Sequence, residues 1–393
     1  MVTLKLACGA LILACSAPFV IPVVFAAVLW EACDRGFAGG FVQSNNELSG
    51  FLLGRLVPWA IQRLHRVACT YVKAKEDSYV IACMLLYAGV IPALFLCCFA
   101  HAATVGYVSL PLCFAFHVFR IGPYFMNFAY VYTLCHKEGH SVRGMYVHPY
   151  NQSILWRSMF NWWVGLFYGV LPASFAVGHS INHHRYNNGE QDVVSTADKP
   201  RDSFQNWVAY LPRWTLYALN VSTTLQFWRE GQYRLAFQML LGSAYFWAWA
   251  AAWARADATF AAAYVLYPFF ENVLLLACVN WTWHAFLDPD DPENEYAASV
   301  TILDGTINVL NEDYHVVHHQ YPGEHWSKHQ ARAAARWKEY AQHRATCFQR
   351  THVMELFGML VAADYDALAQ RFVDVQGLDF KGQETMTLKE KKK

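Results

Sequence analysis

The chain has 393 residues and a formal net charge of +0, and 55% of its residues are hydrophobic while only 15% are charged. A soluble domain carries roughly 25% charged residues. The charges are also uneven, because 29 of the 60 lie between Asp288 and Lys393. This pattern excludes a soluble enzyme, a disordered regulator and a fibrous protein, and the balanced charge argues against a nucleic-acid binder. A membrane protein with a polar C-terminal part remains.

Residues 1–78 contain two segments that favour a membrane. The apolar run from Leu6 to Trp30 is long enough for a membrane helix, which needs roughly 20 residues. Pro18 and Pro22 would also allow a re-entrant hairpin. Phe51 to Ser78 mixes Arg and Lys with apolar residues, which is typical of an interfacial helix on the cytoplasmic side.

Two longer apolar stretches predict four core transmembrane helices. Tyr79 to Cys135 is almost uncharged and has a weak break near His101, which predicts an out-and-back hairpin. A second hairpin is predicted from about Leu235 to Val279, with its turn at Arg255–Asp257. Because each hairpin returns the chain to the side it left, the polar segments all fall on one side. Trp162 to Val177 is too short to span comfortably and is expected to lie flat at the membrane surface.

The expected fold is an all-α integral membrane protein with four core transmembrane helices in two hairpins, an N-terminal membrane helix and a cytoplasmic helical cap. Residues 79–326 would form the membrane domain, and residues 327–393 a cytoplasmic helical region with Ser327 as a helix N-cap. The chain ends in Lys389-Glu390-Lys391-Lys392-Lys393, which resembles the dilysine retrieval signal of the endoplasmic reticulum. A basic tail near anionic lipid is the alternative.

The 17 histidines are the most informative feature, because most of them recur at helical spacing. The groups are His136 and His140 in H-K-E-G-H, His179, His183 and His184 in H-S-I-N-H-H, Asn280 and His284 in N-W-T-W-H, and His315, His318 and His319 in H-V-V-H-H. Residues three or four apart lie on one face of an α-helix. Imidazole suits iron, copper and zinc, and two metals with four or five ligands each would use the whole set. The sequence therefore predicts a cap that holds a histidine-rich site for two metals.

Some neighbouring residues are expected to stay outside this site. Glu138 lies between the two histidines of the first box and would point away from their shared face. His325 and His329 are four apart, but Pro322 and Gly323 interrupt the chain before them. They are therefore predicted to be surface residues, and His329→Ala is expected to leave the activity intact.

The boxes, their order and the flanking hairpins resemble the membrane fatty acid desaturase and hydroxylase superfamily, from about Tyr79 to Trp326. The segment H-H-R-Y-N-N-G-E-Q-D, His183 to Asp192, is similar to the second box of desaturases. The run H-V-V-H-H-Q-Y-P, His315 to Pro322, is similar to the third. Asn280 and His284 resemble the additional ligand pair at the end of the family's last helix.

This resemblance implies a non-haem di-iron site that uses O₂ to oxidise an unactivated methylene group of a lipid acyl chain. Removal of two hydrogens gives an alkene and hydroxylation gives an alcohol; the H-H-R-Y-N-N and Q-Y-P contexts favour desaturation. Asp192, Asp313 and Glu312 are candidates for orienting the imidazoles, with ordinary solvated acids as the alternative. The implied ligands are His136, His140, His179, His183, His184, His284, His315, His318 and His319, with Asn280 acting directly or through a water.

The resemblance also implies an external electron donor. The sequence has no H-P-G-G haem-binding motif and no nucleotide-binding glycine fingerprint. Separate cytochrome b5 and its reductase are the implied partners in the endoplasmic reticulum, and ferredoxin would replace them in a plastid. A histidine-rich metal transporter or zinc receptor is the alternative from another class, but transporters place their ligands near the middle of the bilayer.

Overall fold

The computed structural model describes residues 3–11, 13–14, 63, 66–122, 125–141, 144–305 and 307–376, and most of these are helical. Most of the predicted N-terminal membrane helix, half of the predicted interfacial segment and the Lys-rich tail lie outside the described residues. Within the described part of the chain, three helical runs are long and apolar enough to cross a membrane: Lys75–Val105, Tyr233–Ala256 and Ala258–Trp283.

The first of these runs is continuous but changes its helical form along its length. It consists of a 3-10 turn Lys75–Ser78, α1 Tyr79–Cys83, a π-helix Met84–Val90 and α2 Ile91–Val105. It ends at Gly106, whose φ of 81° lets its backbone N–H reach the Ala102 carbonyl at 2.8 Å. The predicted turn near His101 is therefore too early, since His101 lies inside α2.

The return limb of the first hairpin is broken into two shorter helices, so the four predicted core spans are not confirmed within the described residues, where three helical runs have spanning length. Helix α3, Leu110–Ile121, has 12 residues and is about 18 Å long, short of the ~30 Å hydrocarbon thickness. The chain then breaks between Gly122 (φ 76°) and Phe125 (φ 58°) before α4, Met126–His140. Two shorter helices replace the single span that the apolar composition predicted.

Polar side chains stabilise this break inside the protein. Asn127 donates to the Phe119 carbonyl at 2.9 Å, and the Tyr168 hydroxyl donates to the Arg120 carbonyl at 2.9 Å. Arg120 also pairs with Glu271 at 2.7 Å, with both side chains fully buried. Free carbonyls at a helix end are costly away from water. These bonds therefore allow the helix to break there, and the ion pair ties the first hairpin to the second.

The second hairpin follows two helices, α8 Phe204–Ala218 and α9 Val221–Arg229. It consists of α10 Tyr233–Ala256, α11 Ala258–Ala261, a π-helix Ala262–Leu266 and α12 Tyr267–Trp283. Asp257 lies between the two limbs and accepts the Phe260 backbone N–H at 2.9 Å. The predicted turn at Arg255–Asp257 is confirmed, since the first limb ends at Ala256 and Asp257 is the N-cap of the next helix. Asp is a favoured residue at this position.

The segment between the hairpins is folded into the protein. Its elements are a 3-10 turn Tyr150–Gln152, α5 Ile154–Arg157, α6 Met159–Trp162, a 3-10 helix Val164–Tyr168, a π-helix Ser174–His183 and α7 His184–Tyr186. Residues 164–173 are all buried. At Gly169 a Cβ would lie 2.3 Å from the Phe269 backbone nitrogen, so the segment packs directly against α12. This part of the chain is therefore buried within the protein, and the position of Trp162 to Val177 at the membrane surface stays a prediction.

The C-terminal part is a cap of short elements with a two-stranded parallel sheet, a small departure from an all-α fold. Its elements are α13 Glu295–Ala298, β1 Thr301–Ile302, α14 His315–Gln320, a 3-10 turn Trp326–Lys328, α15 His329–Ala335, α16 Trp337–Gln342, β2 Cys347–Phe348, α17 Val353–Val361 and α18 Tyr365–Arg371. The helix predicted from Ser327 is interrupted at Arg336, and His325 rather than Ser327 is its N-cap. Asp77 accepts hydrogen bonds from His325 and Trp326 at 2.9 and 2.8 Å, which fixes the cap to the first span.

Candidate metal centre

The first histidine box lies at the end of α4. His136 and His140 occupy successive turns of this α-helix, and their Nε2 atoms are 2.9 Å apart. Gly139 lies between them on the side that meets the next box. A Cβ at Gly139 would lie 3.0 Å from the Ala176 nitrogen. The absence of a side chain there brings α4 against the backbone that carries the second box.

The second box lies on the π-helix Ser174–His183. Its close pair is His179 and His184, five residues apart, with Nε2 atoms 2.9 Å apart. His183 turns to the other side, and its Nε2 lies 3.1 Å from that of His284. An α-helix would have paired His179 with His183, so the grouping within this box differs from simple α-helical spacing.

The third box lies on α14 and follows ordinary α-helical spacing. His315 and His319 have Nε2 atoms 3.2 Å apart. The His318 ring points toward the first two boxes, with its centroid 4.6 Å from those of His136 and His184. The box therefore contributes to both sides of the site.

The imidazoles converge into two groups. His136, His140, His179, His184 and His318 form one, and His183, His284 and His319 form the other, with the potential ligand atoms of each group within 4.8 Å of one another. His315 joins the second group through its contact with His319. All nine predicted histidines are thus brought together, although they come from four separate parts of the chain.

Asn280 lies one helical turn before His284 and lines the same cavity. Its amide nitrogen donates to the Tyr210 hydroxyl at 2.8 Å and to the Val194 carbonyl at 3.2 Å. These bonds fix the orientation of the side chain beside the second group.

Acceptors behind the rings set the imidazole tautomers. His183 donates its Nδ1–H to Asp192 at 2.6 Å, and His284 donates its Nδ1–H to the Ala298 carbonyl at 2.9 Å. Burial alone raises the pKa of Asp192, but the adjacent His183 and hydrogen bonds hold that pKa below its usual value. Such partners orient a ligating imidazole and increase its basicity.

Glu312 has a similar place behind the first group. Its carboxylate lies 3.3 Å from His136 Nδ1 and pairs with Lys137. Burial raises its pKa, but Lys137 and His136 together hold the pKa well below the usual range. Asp313, also predicted to orient an imidazole, instead has a buried Oδ2 with no hydrogen-bond partner, and burial followed by the charge of Glu312 raises its pKa.

Burial favours the neutral form of His318 and His319, which is the form that a metal ligand needs. The pKa of His318 is well below its ordinary value because the ring is buried and lies beside His136 and His184. The pKa of His319 is lowered by burial and by the neighbouring His184 and His315.

The donor set fits metal ions. The Nδ1 atoms of His183 and His284 face Asp192 and the Ala298 carbonyl, so two neutral rings would meet with Nε2 lone pairs only 3.1 Å apart. Two such lone pairs repel each other, whereas ligands at a metal–nitrogen distance of about 2.0–2.1 Å lie roughly 3 Å apart. His318 is fully buried, and neither of its ring nitrogens has a hydrogen-bond partner. Unpaired buried groups of this kind are rare and costly.

Glu138 and His329 were both predicted to lie outside the site, and the structure buries both side chains. Glu138 accepts hydrogen bonds from Asn161 and belongs to neither group, as predicted. The surface prediction for His329 is wrong: its side chain is fully buried, because α15 turns His329 and Ala333 inward. Its ring centroid is 6.1 Å from that of His318, and burial, together with the charge of Lys137, lowers its pKa to about 4. The expectation that His329→Ala is harmless therefore loses its basis.

An apolar cavity of about 320 Å³ opens against both groups. Its walls near the centre include His136, His179 and His284, and its far wall includes Phe125 and Phe128 at the start of α4. Phe128 and His136 lie eight positions apart on α4, so the cavity extends along this helix for about 12 Å. A slender apolar molecule fits such a space.

The fold and the site define a helical membrane protein with a histidine-rich candidate centre for two metals beside an apolar cavity. The chain belongs to the fatty acid desaturase family, whose model matches residues 121–351 and so includes all nine clustered histidines. Membership supports an oxidoreductase of the desaturase and hydroxylase type that acts on lipids. No curated protein and no solved structure matches the chain.

Proposed function

We propose that this protein is an O₂-dependent membrane desaturase that uses two iron ions to introduce a double bond into a lipid acyl chain. The observation that carries the proposal is the 3.1 Å approach of the Nε2 atoms of His183 and His284, beside an apolar cavity. Neutral rings with their Nδ1 hydrogens on Asp192 and Ala298 would repel each other at this distance unless a cation lay between them. The family supplies the reaction type, and the cavity supplies the class of substrate.

The ligands that we assign to one iron are the five histidines of the first group. The second iron would take His183, His284, His315 and His319, with Asn280 directly or through a water. Iron in these positions supplies the activation of O₂. The convergence of the rings within each group supports this assignment.

The chain's own residues would position the reactants. The apolar wall from Phe128 to Leu276 excludes water and holds the acyl chain extended past His136 and His284. Asp192 and the Ala298 carbonyl hold the hydrogens of His183 and His284 on Nδ1, away from the metal side. Loss of two hydrogens from neighbouring carbons, with reduction of O₂ to two waters, also consumes two electrons and two protons.

These electrons would come from another protein, and we propose cytochrome b5 and its reductase, or ferredoxin in a plastid. The proposed location is the endoplasmic reticulum, with the histidine boxes and the C-terminus in the cytoplasm. The division into residues 1–78, 79–326 and 327–393 is part of the same proposal.

Hydroxylation of the acyl chain is the alternative that the same site allows, because the two reactions share the removal of the first hydrogen. A metal transporter is disfavoured, because the imidazoles cluster in two compact groups rather than along a path.

Expression in a lipid-profiled yeast host tests the proposal. Mass spectrometry of fatty acid methyl esters should show a new unsaturated species that requires O₂ and disappears in His318→Ala and His183→Ala. A new hydroxylated species would select the alternative. An unchanged lipid profile, with iron-loaded protein present in the membrane, would contradict both.

A further inference from the structure

The second and third boxes have different spacings although each supplies three histidines to the site. In H-V-V-H-H the later histidines follow the first by three and four residues, and in H-S-I-N-H-H by four and five. An α-helix turns about 100° per residue. The third box therefore places its later histidines about 60° to one side of the first and about 40° to the other. An α-helical second box would place His183 about 40° away and His184 about 140° away, beyond reach of the same site.

The structure compensates for the extra residue by changing the type of helix. The third box lies on the α-helix His315–Gln320, whereas the second lies on the π-helix Ser174–His183. Bonding from residue i to i+5 reduces the turn to about 80° per residue. His183 and His184 then lie about 40° to either side of His179, nearly the arrangement of the third box.

The distances follow this geometry. In each box the first and last histidines pair: His179 with His184 at 2.9 Å, and His315 with His319 at 3.2 Å. The middle histidine of each box, His183 or His318, joins the opposite group. Each box therefore contributes two rings to one group and one ring to the other.

Contacts within and around the π-helix support this register. The Ser180 hydroxyl donates to the Phe175 carbonyl, five residues earlier, at 3.0 Å. Ala173 begins the helix in a left-handed conformation with φ 71°. A Cβ at Gly178 would lie 3.2 Å from the Met239 side chain and 3.3 Å from Tyr217, so the helix packs closely against its neighbours.

We propose that the π-helical register of Ser174–His183 divides the second box between the two metal positions, giving His179 and His184 to one and His183 to the other. This inference rests on the proposed function, because it assumes that both groups bind iron. It adds that the helix type, rather than box spacing alone, determines which histidine serves which metal.

Mössbauer spectra of the ⁵⁷Fe-loaded protein test the division directly. His179→Ala and His184→Ala should alter the same iron subspectrum, which His140→Ala also alters. His183→Ala should alter the other subspectrum, together with His284→Ala. If His179→Ala and His183→Ala alter one subspectrum and His184→Ala the other, the proposal is overturned.

A deletion variant provides a second test, which remains usable if the alanine variants lose all their iron. Deleting Ser180 converts the second box to the spacing of the third, which suits an α-helix. We expect this variant to hold two irons per chain, with the wild-type number of subspectra. The matched control is deletion of Val316, which puts His318 on the far side of an α-helix and should reduce the iron content to one per chain or less. Loss of iron from the Ser180 deletion, whatever its cause, overturns the proposal.

The two hypotheses fail separately. Wild-type protein that binds no iron pair contradicts the proposed function. If the wild-type protein binds two irons but the Ser180 deletion holds no more iron than the Val316 deletion, only the role of the π-helix is contradicted.

Discussion

Asp192 Oδ2 lies 2.6 Å from Nδ1 of His183, and both side chains are buried. Removing the carboxylate charge weakens the partner that holds this ring, and such changes typically cost 10–100-fold in metal affinity, so we expect about that loss for Asp192→Asn. Chelator competition with the purified protein measures it. Asp198→Asn is the control, because Asp198 pairs with Arg213 at the surface. Equal iron affinity in the two variants would mean that Asp192 does not support the metal.

Gly139 allows the first and second boxes to approach each other. In Gly139→Ala the new methyl group would meet the backbone of Phe175 and Ala176 at 3.0 Å, where no flexible side chain can yield. We expect a destabilisation of about 1–3 kcal/mol, typical of overpacking, and a lower iron content. Gly358→Ala is the matched control, since a Cβ there meets nothing within 4 Å. It should leave the iron content unchanged and can gain up to about 1 kcal/mol from helix propensity. Normal iron content in Gly139→Ala would contradict this account of the close approach.

The Arg120–Glu271 pair is fully buried at the helix break. Glu271→Gln leaves the guanidinium without its counter-charge, which we expect to destabilise the protein by about 3–5 kcal/mol. The double variant Arg120→Met with Glu271→Leu removes both charges and should be clearly more stable than Glu271→Gln alone. Thermal denaturation in detergent compares them. A double variant no more stable than Glu271→Gln would contradict the stabilisation of each charge by the other.

The metal-free protein should lose stability as the pH falls from 7 to 5. His315, His318 and His319 have pKa values well below the ordinary one because of burial and their neighbours, and that of His329 is about 4. Histidines of the unfolded chain bind protons below about pH 6.5, whereas these folded ones do not. Each group therefore favours unfolding by up to about 1.4 kcal/mol per pH unit in this range.

The thermal midpoint at pH 7.5 and at pH 5.5 measures this effect. Bound iron should flatten the dependence, because a ligated imidazole must lose its metal before it takes a proton. Equal midpoints of the metal-free protein at both pH values would contradict the burial of these rings in a metal-free fold.

Much of the site follows from local sequence patterns. The pairing of His136 with His140, and of His315 with His319, reflects ordinary α-helical spacing and was predictable from it. The turn at Asp257 was predictable because a capping residue interrupts an apolar run there.

The remaining features depend on tertiary contacts. The pairing of His179 with His184 requires a π-helix, which periodicity arguments based on 3.6 residues per turn do not include. The break after α3 depends on hydrogen bonds from Asn127 and Tyr168, which are distant in sequence or lie beyond the break. His329 is buried because α15 packs against the third box, and its polar neighbours in the sequence gave no indication of this.

The metal content of the purified wild-type protein tests the central claim most directly. We predict two irons per chain by inductively coupled plasma mass spectrometry, falling in both His183→Ala and His318→Ala. A single zinc per chain, or an iron content that neither substitution changes, would contradict the claim that these imidazoles bind an iron pair.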